Sequence, residues 1–134
     1  MNQQNQKYPR VSVKAVFRHQ DSVLYYKTTT GISDIPGGHI EFGETIFEAL
    51  KRELQEEIGY MLKTEPKLLH AWTYLSRDKS AHRVYIVYLI ELLEKVTFKS
   101  LEYPGEIEFM WVQKNEIATL DMMSELKDVL LKAY

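Results

Sequence analysis

Apolar residues alternate with polar ones near the start of the chain, in the pattern of a β-strand. Every second position from 11 to 17 is apolar, which predicts a first strand over about 10–18. The polar segment 19–22 favours a turn and leads into the β-rich segment 23–26, so a hairpin is expected. The segment 83–93 is apolar almost throughout, which favours a central strand buried on both faces. Two further strands are predicted, at 67–74 and 106–112.

The spacing of apolar residues changes to three and four between 44 and 58, which predicts an amphipathic helix. The positions concerned are Phe47, Leu50, Leu54 and Ile58. Gly59 follows them and is a typical residue at which a helix ends. The Ile-Pro-Gly-Gly segment at 35–38 is expected to interrupt regular structure. Two shorter helices are predicted near the end of the chain, at 114–120 and 124–132.

Strands that surround one helix and are followed by another favour an α/β fold, a mixed sheet with helices packed on its faces. The 134 residues, 45% of them hydrophobic, fit a single domain over 1–134. The Gln/Asn-rich segment 1–9 is expected to be flexible.

Charge and composition exclude several classes of protein. Lys and Arg number 17 against 19 Asp and Glu, a net charge of 17 − 19 = −2, so no nucleic-acid partner is expected. The absence of cysteine excludes disulfides and cysteine-based zinc sites. The longest apolar run, 84–90, is too short to span a bilayer, and the N-terminus does not resemble a signal peptide. We therefore expect a cytoplasmic protein without a membrane partner.

Six glutamates fall between positions 41 and 57, a local excess of negative charge. With about 100° of rotation per residue, Glu53, Glu56 and Glu57 project from one sector of the helix, beside its apolar stripe. Carboxylates this close repel one another unless a cation intervenes, and hard oxygen ligands suit Mg²⁺ or Mn²⁺ better than zinc or copper. A metal held there would favour phosphoanhydride hydrolysis, with a spare glutamate as the base.

The glutamates belong to a longer pattern that resembles the Nudix box. Gly38 is followed after five residues by Glu44 and after seven more by the sequence Arg-Glu-Leu-Gln-Glu-Glu-Ile-Gly, which ends at Gly59. Tyr60 replaces the usual aliphatic residue, a departure expected to affect the packing of the helix end rather than metal chemistry. On this motif the chain resembles the Nudix (MutT-like) hydrolase family.

The resemblance implies a Nudix-type α/β/α sandwich with a mixed β-sheet. It also implies Mg²⁺-dependent cleavage, with Mn²⁺ as a substitute, of a pyrophosphate bond in a small nucleotide, either a nucleoside diphosphate derivative or a nucleoside triphosphate. In this reading Glu53, Glu56 and Glu57 ligate the metal together with the Gly38 carbonyl, and Arg52 and Glu44 orient the cluster. A further glutamate from a later segment is expected to act as base or ligand; of Glu102, Glu106 and Glu108, Glu106 is favoured. Many relatives form homodimers, so a homodimer is among the expected states.

Other interpretations remain open on the sequence alone. Any one of these glutamates is more often solvated surface than a ligand, and only the joint pattern outweighs that interpretation. A non-catalytic, nucleotide-sensing Nudix-like module is an alternative, although such modules are expected to have lost box glutamates. A plain interaction domain that docks a basic partner is a second alternative, which a metal titration would separate. His39 is interpreted as structural, and the strand tyrosines mainly as packing residues with one or two in the pocket.

Overall fold

The computed structural model describes residues 7–134. Residues 1–6 of the segment expected to be flexible lie outside the described residues, and residues 7–9 have no regular secondary structure. Within the described part, no helix is long and apolar enough to cross a membrane. The elements are, in chain order, β1 (Arg10–His19), β2 (Ser22–Thr28), β3 (Ser33–Asp34), β4 (Gly37–His39), α1 (Ile46–Ile58), β5 (Lys67–Leu75), β6 (His82–Glu91), β7 (Ile107–Gln113), a 3₁₀ helix (Lys114–Thr119) and α2 (Ser124–Leu131).

The strands form one mixed sheet in the order β3-β2-β1-β6-β5, with β4 also paired to β1 and β7 to β2. Only β1 and β6 are paired in parallel, and the other pairs within the described chain are antiparallel. The predicted hairpin of β1 and β2 is confirmed. The central position predicted for the apolar strand is also confirmed, because β6 lies between β1 and β5.

Helices cover both faces of the sheet, which confirms the predicted α/β sandwich. The residues of β1 alternate between the two faces because successive side chains in a strand point in opposite directions. Val13 and Phe17 pack with α1 residues such as Leu54, whereas Val16 packs with α2 residues such as Val129. The sheet therefore separates two apolar clusters, and α1 is anchored on only one of them.

The segment 35–38 was expected to interrupt regular structure, and this prediction is wrong in part. Gly37 and Gly38 begin the short strand β4, in which Gly37 is the partner of Lys14 on β1. Gly37 has a φ of +146°, and a Cβ there would lie 2.2 Å from the Val13 carbonyl oxygen. The absence of side chains at these glycines is what allows β4 to lie this close to β1.

Helix α1 begins two residues later than predicted and ends as predicted. Thr45 caps it, because its hydroxyl accepts a hydrogen bond from the Glu48 amide at 3.1 Å while the Glu48 carboxylate accepts one from the Thr45 amide at 3.0 Å. Gly59 ends the helix in the left-handed conformation, with a φ of 70°. Glu44 therefore precedes the helix rather than lying on it. Tyr60 packs edge-on against Phe17, with ring centroids 5.0 Å apart, which is a packing role at the helix end.

Candidate active site

Three glutamates come together at the edge of the sheet beside β4. Glu53 and Glu57 lie four residues apart on α1, which places them on the same side of the helix. Glu102 reaches them from the loop between β6 and β7, and carboxylate oxygens of the three residues lie within 4.8 Å of one another. Glu57 is buried, with 6% of its surface exposed; Glu53 is half-buried and Glu102 is exposed. We call these three residues the carboxylate cluster.

The loop position of Glu102 is set by a backbone contact with α1. The Leu101 amide donates a hydrogen bond to the carbonyl oxygen of Glu57 at 2.8 Å, so the next side chain is held beside the helix. The favoured Glu106 is placed elsewhere, because its carbonyl accepts a hydrogen bond from the Thr29 amide at 3.1 Å, beside the turn between β2 and β3. Within the described residues the structure therefore brings Glu102 into the carboxylate cluster and leaves Glu106 outside it, while the role of either glutamate in the reaction stays a prediction.

Glu56, which is also predicted to be a metal ligand, lies outside the carboxylate cluster of the described residues. It was expected to share the cluster with its two neighbours on the helix, but its side chain is 51% exposed and lies 3.3 Å from the Arg52 guanidinium. Glu56 thus lies at the rim of the site, where its charge contributes to a raised pKa at Glu102 after the larger effects of burial and of Glu53.

Arg52 links the helix to the segment that precedes it. Its Nε and Nη2 atoms donate to the two carboxylate oxygens of Glu44 at 2.7 and 2.9 Å, and Nη1 donates to Glu53 at 2.8 Å. Nη2 also donates to the His39 carbonyl at 3.0 Å. These hydrogen bonds lower the pKa of the Glu44 carboxyl to about 2, so Glu44 stays ionised as a partner for Arg52. Arg52 therefore connects Glu44 and the end of β4 to Glu53, and its role in a metal site stays a prediction.

The two glycines of β4 form the other wall of the cluster. The Gly37 amide donates to Glu57 Oε2 at 3.0 Å. A Cβ on Gly38 would lie 2.2 Å from the carboxylate carbon of Glu53, so a larger residue cannot occupy position 38 without moving Glu53. The backbone of β4 thus approaches both helix carboxylates, which requires glycine.

The electrostatics of the cluster fit a divalent cation. Burial raises the pKa of Glu57 to about 7, and the neighbouring charges of Glu102 and Glu53 add to this, against the opposing effects of the Gly37 amide and Lys14. Burial, followed by the charges of Glu53 and Glu56, also raises the pKa of Glu102. A cation would relieve this repulsion, and the oxygen-only donor set suits a hard metal such as Mg²⁺ or Mn²⁺.

The raised pKa of Glu57 predicts that the metal-free protein becomes less stable as the pH rises from about 4.5 to about 7. Between the ordinary value of 4.5 and the folded value of about 7, the folded state binds more protons than the unfolded state, so raising the pH favours unfolding. The shift corresponds to a loss of roughly 3 kcal/mol in the free energy of unfolding. This loss is complete above pH 7 and absent below pH 4.5.

Urea unfolding in EDTA at pH 5 and pH 7.5 measures this effect. The wild type is expected to lose more stability than Glu57→Gln between the two pH values, because the amide does not titrate. Equal losses in the two proteins would show that Glu57 does not carry the effect. Added Mg²⁺ is expected to stabilise the wild type more at pH 7.5 than at pH 5, since only the ionised carboxylate binds it.

The carboxylate cluster lies in a cavity of about 560 Å³. The lining of this cavity also includes Arg10, Tyr26 and His39. His39 also has a structural contact, since its Nδ1 atom lies 3.1 Å from the Ser12 hydroxyl.

A second cavity, of about 420 Å³, lies on the α2 side of the sheet. Its lining includes Trp72 and Tyr85, whose rings stack with centroids 4.9 Å apart, and the apolar side chains of Met122 and Leu126. Lys14 also lines it, and the stem of Lys14 packs against Gly37 of the first cavity. The two cavities are therefore adjacent. Of the strand tyrosines, Tyr26 and Tyr85 line these cavities, in agreement with the expected one or two.

Several of these lining residues had no role in the sequence-based site. Arg10, Lys14 and Trp72 lie far from the glutamate helix along the chain and belong to no short motif. The sequence indicated only that these residues lie in predicted strands. Two of them, Arg10 and Lys14, are charged residues on one face of the first strand.

The described part of the chain matches one family over nearly its whole length. The family model for the NUDIX domain matches residues 8–134. The ADP-ribose pyrophosphatase of Methanocaldococcus jannaschii is 31% identical over 90 residues, which cover 64% of this chain and 53% of that protein. The nucleoside triphosphatase NudI of Enterobacter sp. strain 638 is 31% identical over 99 residues, 66% of each protein. The chain thus spans about half of the first of these relatives and 66% of the second.

Solved structures of NUDIX proteins have the same fold as this chain. The MutT NUDIX hydrolase from Burkholderia pseudomallei superposes with a TM-score of 0.79 at 22% identity, over 96% of this chain and 100% of that one. The NUDIX domain of Shewanella oneidensis NrtR, solved in complex with ADP ribose, gives a TM-score of 0.76 at 16% identity, over 99% and 91% of the two chains. At these identities the likeness establishes the fold.

Proposed function

Because the chain belongs to the NUDIX family, we propose that it is a Mg²⁺-dependent hydrolase that cleaves a phosphoanhydride bond in a nucleotide, with Mn²⁺ able to substitute. The observation that carries this proposal is the carboxylate cluster, in which Glu53 and Glu57 of the box meet Glu102 from a separate loop. A nucleotide-sensing module without catalysis has no need for three clustered carboxylates, two of which have a pKa raised by burial and, to a smaller extent, by the neighbouring negative charges.

The residues of the site have separate roles in this proposal. Glu53 and Glu57 would hold the cation together with the Gly38 carbonyl, and Glu56 would contribute from the rim. Arg52 and Glu44 fix the orientation of Glu53 through the hydrogen bonds described above. A divalent cation held there polarises phosphate oxygens and lowers the pKa of water.

Glu102 is the group we assign to proton transfer. It is exposed, so water reaches it, and its raised pKa brings it closer to the range in which a carboxylate accepts a proton efficiently. Water attacks phosphorus, the bond from that phosphorus to the bridging oxygen breaks, and the water proton passes to the Glu102 carboxylate. The leaving phosphate departs with the bridging oxygen.

The second cavity is the proposed site for the base of the nucleotide. The stacked rings of Trp72 and Tyr85 form an aromatic wall, and its volume of about 420 Å³ lies within the usual range for small-molecule sites. The relatives named above act on ADP-ribose or on nucleoside triphosphates. ADP-ribose and nucleoside triphosphates are therefore both candidate substrates.

A screen in which chromatography separates each substrate from its hydrolysis products tests the proposed function. Nucleoside triphosphates, ADP-ribose, dinucleotides and diadenosine polyphosphates are incubated with the protein in Mg²⁺, in Mn²⁺ and in EDTA. We expect turnover of at least one substrate in either metal and none in EDTA. Metal-independent turnover would contradict the proposed role of the metal. An absence of turnover together with an absence of Mn²⁺ binding would contradict the proposal as a whole and favour an interaction domain.

A further inference from the structure

A second concentration of charge, entirely basic, lies beside the carboxylate cluster where β1 and β6 begin. Arg10 and Arg83 are direct partners in the parallel pair of these strands. Partners in a parallel pair point to the same face of the sheet, so the two guanidinium groups extend from one surface. Ser12, two residues after Arg10 on the same face, is the partner of His39 at the end of β4.

These arginines line a cavity of about 570 Å³, which we call the basic groove. Its titratable lining residues are Lys7, Tyr8, Arg10, Lys79, His82 and Arg83. No acidic side chain is among the described residues that line it, whereas the cavity of the carboxylate cluster is lined by four glutamates, Glu41, Glu53, Glu57 and Glu102. Arg10 lines both cavities, so the basic groove begins where the carboxylate site ends.

Among the described residues, the two arginines have no acidic partners. Within residues 7–134, neither Arg10 nor Arg83 forms an ion pair, although Arg18 and Arg52 both do. Arg83 is also half-buried, and a partly desolvated guanidinium without an anion is unfavourable. The planar guanidinium binds phosphate oxygens in pairs, which makes phosphate the anion that two parallel arginines suit best.

We propose that the basic groove binds phosphate groups of the substrate beyond the bond that is cleaved. Nucleotides with three or more consecutive phosphates are then better substrates than diphosphate conjugates such as ADP-ribose. A diphosphate places both of its phosphates at the carboxylate cluster and has no anionic group left for Arg10 and Arg83. This inference rests on the proposed function and selects between its two candidate substrate classes.

The test compares ATP with ADP-ribose, which share adenosine and therefore make base recognition equal. In Arg83→Gln, kcat/KM for ATP is expected to fall about tenfold to hundredfold, mainly through KM, because the change removes a charged hydrogen bond to phosphate at a residue that lines the basic groove and not the cavity of the carboxylate cluster. The value for ADP-ribose is expected to change less than about threefold. Arg77→Gln is the matched control, since Arg77 lies on the neighbouring turn but outside the groove, and it should leave both substrates unaffected.

Binding without catalysis separates this inference from the proposed function. Calorimetric titration with inorganic tripolyphosphate in EDTA should show binding to the wild type and to Arg77→Gln, and about tenfold weaker binding to Arg83→Gln. If tripolyphosphate binds in this way but no nucleotide is hydrolysed, the proposed function fails while the phosphate site stands.

Three results would overturn the inference itself. The first is a higher kcat/KM for ADP-ribose than for ATP in the wild type. The second is an equal loss for both substrates in Arg83→Gln, or equal tripolyphosphate binding by wild type and variant. The third is a preference for 5′-triphosphorylated RNA over ATP that depends on Arg83 in the same way. That result would mean that the basic groove binds the end of a nucleic acid instead of a small nucleotide. Thermal unfolding of each variant verifies that it is folded.

Discussion

Replacing Glu57 by glutamine is expected to lower kcat by about 10²- to 10⁴-fold while leaving the folded protein at least as stable as the wild type. The substitution removes a negative charge from the carboxylate cluster but keeps an oxygen that accepts the hydrogen bond from the Gly37 amide. Since burial raises the pKa of this carboxyl to about 7, a neutral amide is accommodated at neutral pH without the cost of burying a charge. Steady-state kinetics on the substrate found in the screen, beside thermal unfolding in EDTA, measure both effects.

Glu48 supplies a matched control on the same helix. It is exposed, lies outside the carboxylate cluster and completes the capping box of α1, in which glutamine is an acceptable replacement. Glu48→Gln should therefore retain nearly full activity. Similar activity in Glu57→Gln and Glu48→Gln would remove Glu57 from the site, and unfolding of Glu57→Gln would assign it a structural role instead.

Alanine at Gly38 is expected to reduce kcat/KM by about 10²-fold or more, with a parallel loss of Mn²⁺ affinity. The new Cβ would lie 2.2 Å from the Glu53 carboxylate carbon and 2.3 Å from its Oε2, so Glu53 must leave its position against β4. Displacement of a catalytic group by about 1 Å is sufficient for a loss of this size. The hydrogen bond from Arg52 to Glu53 would be strained by the same movement.

Gly31 provides the comparison for this substitution. Its φ of +88° makes alanine unfavourable, but no atom lies within 4 Å of the position that a Cβ would occupy. Gly31→Ala is therefore expected to lose stability, by about 1 kcal/mol, and to bind Mn²⁺ like the wild type. Electron paramagnetic resonance, which detects free Mn²⁺, measures the Mn²⁺ affinity of both variants in a titration. Unchanged Mn²⁺ binding in Gly38→Ala would show that Glu53 is not held against β4 in solution.

The elements of the fold were accessible from the sequence where their signals are local. The apolar spacing of α1 and its end at Gly59 depend on neighbouring residues only, and both are confirmed. The strand predicted from the alternation at 11–17 is also confirmed as β1, although its residues 12–17 are buried on both faces. The start of α1 was placed too early because Glu44 continues the acidic composition of the helix, although Thr45 is the residue that caps it. The proposed single domain over 1–134, the cytoplasmic location and a homodimer stay predictions.

The candidate site was predicted in part, and the predicted part again depends on local spacing along the chain. Glu53 and Glu57 were placed together because the helical period fixes their relative direction before any tertiary contact exists. Glu56 shares that sector on a helical wheel, but it lies on the side away from the buried residues Leu50 and Leu54, and its side chain is exposed beside Arg52. A wheel describes direction around one helix and does not show which side the rest of the protein covers.

The sequence by itself determined the glutamate helix, the glycine pair that faces it and the family to which the chain belongs, since these depend on residue type and short spacing. Tertiary structure alone decided that Glu102 joins the cluster, because a backbone hydrogen bond from Leu101 to α1 positions the loop. It also decided that Arg10 lies beside Arg83, since parallel pairing of β1 and β6 joins residues from distant parts of the chain. Contacts of this kind arise from packing of the whole sheet, and no local pattern encodes them.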